Sequence, residues 1–201
     1  IKLIVIPQII QSKKSKQFKM KIREMKSSKI WEYENAYYWF SDNERLTKII
    51  NHYELIKKHK NVKGDIFEFG IFKGTSLIRT LHFVKFLKLN KKVYAFDAFG
   101  NFPKKNLTIN SDKKFSKTHD AGSPGLSDKT INKILKKKKL LNYKLIKGNV
   151  LNTLKPFLKN YNSRISMLFM DLDVYDPTIF VLNNLYARLN KGGVIICDNF
   201  N

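Results

Sequence analysis

Two hydrophobic periods divide the chain. From Ser41 to Lys60, Leu46, Ile49, Ile50, Tyr53, Leu55 and Ile56 recur near helical spacing, which predicts an amphipathic helix capped by Ser41 with Glu44 three residues on. Beyond it, short apolar runs alternate with longer helical patterns. Strands are predicted at Asp65 to Phe69, Lys92 to Phe96, Tyr143 to Ile146, Ile165 to Met170 and Gly193 to Cys197. The intervening helices are predicted at Ser76 to Leu89, Asp128 to Lys139, Leu151 to Tyr161 and Thr178 to Leu189, with a long loop before the second of them. Strands that are apolar along most of their length and alternate with helices predict an α/β fold, a parallel sheet with helices on both faces. In such sheets ligands bind beyond the carboxyl ends of the strands, so the residues that follow each strand carry the functional information.

The stretch before Ser41 is different in kind. Ile1 to Ile10 are apolar apart from Lys2, Pro7 and Gln8, without the basic lead and small-residue cleavage site of a signal peptide, and too few to cross a bilayer. They read as a strand or docking segment, and the following Gln11 to Ser28 are basic and weakly amphipathic. The expected organisation is an N-terminal basic, helical extension over 1–40 and one domain over 41–201. No transmembrane segment is expected. With 43% hydrophobic residues among 201, the chain is long enough for one substantial core. Cys197, the single cysteine, cannot form an internal disulfide and fits a reducing, cytoplasmic setting. The net charge of +23 raises nucleic acid as a partner, but only five of the 39 basic residues are Arg and lysine is spread along the chain. A solvated surface with no specific nucleic acid is the preferred reading; the runs Lys13 to Lys29 and Lys136 to Lys139 keep the other open.

The strand at Asp65 to Phe69 leads into Glu68-Phe69-Gly70-Ile71-Phe72-Lys73-Gly74-Thr75-Ser76, a glycine turn opening a helix. Gly70 and Gly74 allow close approach of a ligand, and the helix start offers free N–H groups. The spacing is neither that of a dinucleotide fingerprint nor that of a Walker loop. Glu68 adds a carboxylate suited to a cationic ligand such as S-adenosylmethionine (SAM), which carries an ammonium and a sulfonium. Asp97, ending the next strand, is placed to accept hydrogen bonds from ribose hydroxyls. Lys147-Gly148-Asn149-Val150 follows the third strand. Met170-Asp171-Leu172-Asp173-Val174-Tyr175 and Cys197-Asp198-Asn199-Phe200 bring acids to the ends of two strands expected to be neighbours. Asp171, Asp198 and Asn199 form an all-oxygen set suited to Mg²⁺ or another hard divalent cation, which would relieve the repulsion among the carboxylates. Capping of the following helix is the plain alternative for Asp176.

Taken in order, Glu68 to Ser76, Tyr94 to Phe99 running on to Pro103, Lys147 to Leu154, Asp171 to Tyr175 and Gly192 to Phe200 resemble the macrocin O-methyltransferase family from about Ser41 onward. The resemblance implies a Rossmann-like class I methyltransferase sheet. It also implies SAM as cofactor, held by Glu68, Gly70, Gly74, Ser76, Asp97, Gly148, Asn149 and Asp171, the adenine lying near Gly148 and Asn149. It implies methyl transfer to a hydroxyl of a small molecule, a sugar or a nucleotide-sugar or polysaccharide unit, with divalent metal assistance and Asp173 as general base. Two departures stand out: Asn199 replaces the family's usual aspartate, and the C-terminal antiparallel hairpin of the fold is missing from a sequence that stops at Asn201. Asp173 would share a strand face with Asp171 if the strand continues that far. The segment Lys104 to Leu126 reads as a loop, with a lid as one role; His119 and Asp120 lie within it, outside the catalytic set. An RNA or DNA methyltransferase and a non-catalytic scaffold of the same fold remain as alternatives, and homo-oligomerisation is left open.

Overall fold

The computed structural model describes residues 2–6, 26–104, 107–118 and 124–198. Six parallel strands form one sheet: β1 (Lys2–Ile6), β2 (Asp65–Phe69), β3 (Val93–Asp97), β4 (Tyr143–Lys147), β5 (Ile165–Met170) and β6 (Leu189–Asp198), in the order β1-β6-β5-β2-β3-β4. The chain runs outward from β2 to β3 and β4, then returns to place β5 on the other side of β2. That reversal creates a crevice between the carboxyl ends of β2 and β5, the expected ligand position in such sheets.

Side-chain alternation sorts the core into two layers. Ile66, Val93, Ala95, Met167, Phe169, Val194 and Ile196 pack beneath α2 (Asn43–Lys58), α3 (Thr75–Phe86) and α5 (Asp128–Lys137), which contribute Ile56, Leu77, Leu81, Ile131 and Leu135. Phe67, Phe69, Phe96, Leu168, Met170, Ile195 and Cys197 face α6 (Val150–Lys159) and α7 (Tyr175–Leu185). All six residues of β5 are buried, as continuous apolar strands covered on both faces require. At the opposite end of the sheet Lys91, a residue only 4% exposed, donates from its ammonium to the carbonyl oxygens of Val62 and Gly64 and to Ser166 Oγ, helping to satisfy buried acceptors there.

Several expectations shift. The cap of α2 is Asp42, whose Oδ1 accepts from Arg45 N at 3.1 Å, rather than Ser41. The N-terminal extension is not helical throughout: β1 adds a strand beside β6, and α1 (Ile30–Phe40) follows a short 3-10 turn, while most of Gln11 to Ser28 lies outside the described residues. The supposed loop over 104–126 contains a helix, α4 (Asn110–Thr118). It is tied to the start of α7 by two aspartates: Thr108 donates from N (2.6 Å) and Oγ1 (2.7 Å) to Asp176, and Tyr175 N donates to Asp112 Oδ2 at 2.7 Å. Asp176 thus holds the segment leading into α4 and does not cap its own helix, whose N-cap is Val174. Among the described residues no helix is long and apolar enough to cross a membrane.

Candidate active site

The turn after β2 is held by close packing. Gly70 (φ +86°) sits against β5, where an added Cβ would lie 1.8 Å from the Asp171 carbonyl oxygen. Gly74 (φ +83°) caps α3 in the left-handed region, where an added Cβ would come within 2.6 Å of Ile131 Cδ1. Asp97 organises this turn: Oδ2 accepts from the amides of Ile71 (2.7 Å) and Phe72 (3.0 Å), and Oδ1 accepts from Phe99 N. The residue read as a ribose acceptor therefore also fixes the glycine turn to the end of β3. Gly148 (φ +131°) donates its amide to Asp97 O at 2.9 Å, and Asn149 caps α6 by accepting from Leu151 N at 3.0 Å. Gly70, Ser76, Asp97, Gly148 and Asn149 line a single cavity of about 590 Å³ with Glu68, Asp171, Asp173 and Asp198.

Register explains why the acids converge. Phe69, Met170 and Cys197 are aligned across β2, β5 and β6, so the next positions, Gly70, Asp171 and Asp198, form a row at the mouth of the crevice. Glu68 and Asp198 share the face of Ile66 and Ile196, beneath α2 and α3. Glu68 is 1% exposed, and its Oε2 accepts from Thr80 Oγ1 at 3.1 Å. Burial raises its pKa to about 7, with Ser76, Thr80 and the Arg79 guanidinium opposing the rise. Thr80 Oγ1 also meets His52 Nε2 at 3.1 Å; burial first, then Arg79 and Lys48, lower that imidazole to about 3, leaving it neutral. Glu68 Oε1 and Arg79 Nε are buried and have no hydrogen-bond partner among the described residues.

Asp171 is held well above the usual carboxylate range, by burial first and then by the charges of Asp173 and Asp198. This excess of negative charge, and the all-oxygen donors, fit a hard divalent cation. Among the described residues, however, no three His, Cys, Asp or Glu side chains are arranged to hold a metal, and Asn199 lies outside them. Asp198 already pairs with Lys48 of α2, Nζ to Oδ2 at 2.5 Å. Asp173 does not continue the strand: β5 ends at Met170, and Asp173 takes a left-handed conformation (φ +60°) in an exposed turn. The shared-face condition for it fails, though it lines the cavity. His119 and Asp120 lie outside the described residues.

The sequence pattern missed the roof of the cavity, Tyr37, Arg45, Lys48, His52 and Arg79. A signal was present in part: Arg45, Lys48 and His52 recur at helical spacing beside the apolar stripe of α2.

The sequence matches the family model of macrocin-O-methyltransferase (TylF) over residues 4–201. It is 26% identical over 147 residues to the mycinamicin III 3''-O-methyltransferase of Micromonospora griseorubida, an alignment covering 69% of this chain and 56% of that protein. The chain thus spans about half the length of that relative. Among solved structures it is similar to the O-methyltransferase NovP (25% identity, TM-score 0.63, 76% of this chain and 63% of that one). It also shares the fold of CalS11, a calicheamicin methyltransferase (23% identity, TM-score 0.65, 83% and 69% covered).

Proposed function

The chain belongs to the macrocin O-methyltransferase family, and on that premise we propose that it transfers a methyl group from SAM to a hydroxyl of a small molecule, a sugar or sugar-linked unit, with assistance from a divalent cation. The observation that carries this reading is the pair of buried, unpartnered atoms beside the cavity, Glu68 Oε1 and Arg79 Nε. An acceptor and a donor that the protein itself leaves unsatisfied cost free energy and suit the ammonium and carboxylate of an amino-acid moiety. SAM has such an end. Gly70 lines the cavity where that end would lie, Asp97 offers its remaining lone pairs to ribose hydroxyls, and Gly148 and Asn149 would border the adenine, whereas Gly74 is not among the lining residues and serves the turn, packed against Ile131.

When bound, SAM would supply an electrophilic methyl on a sulfonium, and Asp171, Asp198 and Asn199 would hold a divalent cation whose chemistry would be to lower the proton affinity of the acceptor hydroxyl. The protein's own part is orientation and proton handling. Asp173, in the cavity wall on a turn rather than a strand, takes the hydroxyl proton as the oxygen gains the methyl group and S-adenosylhomocysteine departs. Phe72 and Phe102 line the same cavity and give it apolar surface. The +23 charge is read as solvated lysine rather than a nucleic-acid surface.

The test joins calorimetry with a methyl-transfer screen. The parent should bind SAM, Asp97→Ala should bind it roughly tenfold more weakly or worse, and a panel of saccharides and nucleotide-sugars should accept methyl in a chelator-sensitive way. Unchanged SAM affinity in Asp97→Ala removes that residue from the cofactor site; full activity in excess EDTA removes the metal.

A further inference from the structure

The pairing of Lys48 with Asp198 has a consequence for cation loading, and it rests on the metal-assisted reading above. We propose that the Lys48 ammonium is a displaceable internal counter-ion, standing before Asp198 in the cation-free chain and having to leave before a divalent cation is held by Asp171 and Asp198.

Lys48 Nζ lies 2.5 Å from Asp198 Oδ2, across 150 residues of sequence. An ammonium that close occupies the oxygen a cation would bind, and the two positive charges repel at any shared position. The pair sits where such competition is felt: the Asp198 side chain is 16% exposed and Lys48 31%. The helix that carries the lysine is anchored one turn on, because His52 is buried and meets Thr80, which in turn donates to Glu68. The backbone of α2 is therefore fixed over the strand ends while the lysine stem, on the more exposed side of the pair, has room to swing toward solvent. Arg79, whose field also reaches Asp198, stays behind as the nearby cation. A cation then meets a site that is competent only in the fraction of molecules with Lys48 displaced, and its apparent affinity is reduced by that fraction.

The test titrates Mn²⁺ into the full chain without SAM or acceptor, following free Mn²⁺ by electron paramagnetic resonance. Lys48→Met keeps the length of the side chain and removes its charge, and should bind Mn²⁺ about tenfold more tightly than the parent. Lys48→Gln should show a gain of the same sign and guards against a folding defect peculiar to one variant, with SAM calorimetry confirming an intact site. Lys48→Arg, still cationic, should show no gain, and adding Asp198→Asn to Lys48→Met should abolish it. Equal or weaker Mn²⁺ binding in both neutral variants overturns the inference and leaves the metal reading standing. Absence of Mn²⁺ binding in the parent and both variants, with SAM still bound, overturns the inference and the metal reading together while the methyltransferase reading survives.

Discussion

Glu68→Gln isolates the buried carboxyl at the centre of the site. In the parent the side chain is 1% exposed and titrates near 7 rather than at the ordinary 4.5, chiefly because burial penalises the charge. The sign follows from proton counting. Between about 4.5 and 7 the unfolded chain has released this proton while the folded chain keeps it, so stability falls as pH rises through that window and then levels off. At 1.36 kcal/mol per tenfold change, moving the midpoint from 4.5 to about 7 corresponds to about 3 kcal/mol. Glutamine has nearly the same shape, can still accept from Thr80, and leaves one polar atom unpaired where Oε1 was, so its own packing effect is a pH-independent offset. Urea unfolding of parent and variant from about pH 4 to about pH 9 should show the variant gaining about 3 kcal/mol relative to the parent across the window. Saturating SAM should shrink the difference in the parent's disfavour, because an ammonium beside Glu68 stabilises its charged form. Parallel stability curves for the two proteins would refute the reasoning.

Two further substitutions probe the scaffold. Gly70→Ala places a Cβ 1.8 Å from the Asp171 carbonyl at φ +86°, and should cost roughly 3 kcal/mol or more through strain and overpacking; a melting temperature equal to the parent's would show that the turn relaxes. Lys91→Met withdraws the charged donor from the Val62 and Gly64 carbonyls and from Ser166 Oγ, and should cost about 2 kcal/mol in urea unfolding with SAM affinity unaltered, since Lys91 lies at the far end of the sheet.

The strands were legible because burial on both faces leaves an unbroken apolar run: β2 and β5 begin and end where the pattern placed them. α4 was not. Its sequence, Asn110 to Thr118, carries one large apolar residue, Phe115, and it is fastened by Asp176 and Asp112 to backbone groups more than sixty residues away, which no local period records. The site divides in the same way. Gly70, Asp97, Asp171 and Asp198 were found because strand ends announce themselves in the sequence. Lys48, His52 and Arg79 reach the cavity from helix faces, and only tertiary packing decides which sheet edge a helix overlies. The direction of Asp173 was not legible for a related reason, since alternation along a strand holds only until the strand stops, and β5 stops at Met170.

β1 joins the sheet alongside β6, with Ile6 in register with Asp198. These are the first and the last of the described strands, so among the described strands their meeting closes the longest loop. Closure entropy grows with the logarithm of loop length, about 0.6 kcal/mol per doubling, and it has to be met before the contact gives anything back. The β2, β3 and β5 neighbourhood, with shorter closures, should assemble first. Until β1 pairs, the side of β6 that it covers has no other partner among the described strands and is able to recruit a strand from another molecule. During refolding, helical signal should therefore recover ahead of protection at β6, and the interval between them is when crowding does the most harm.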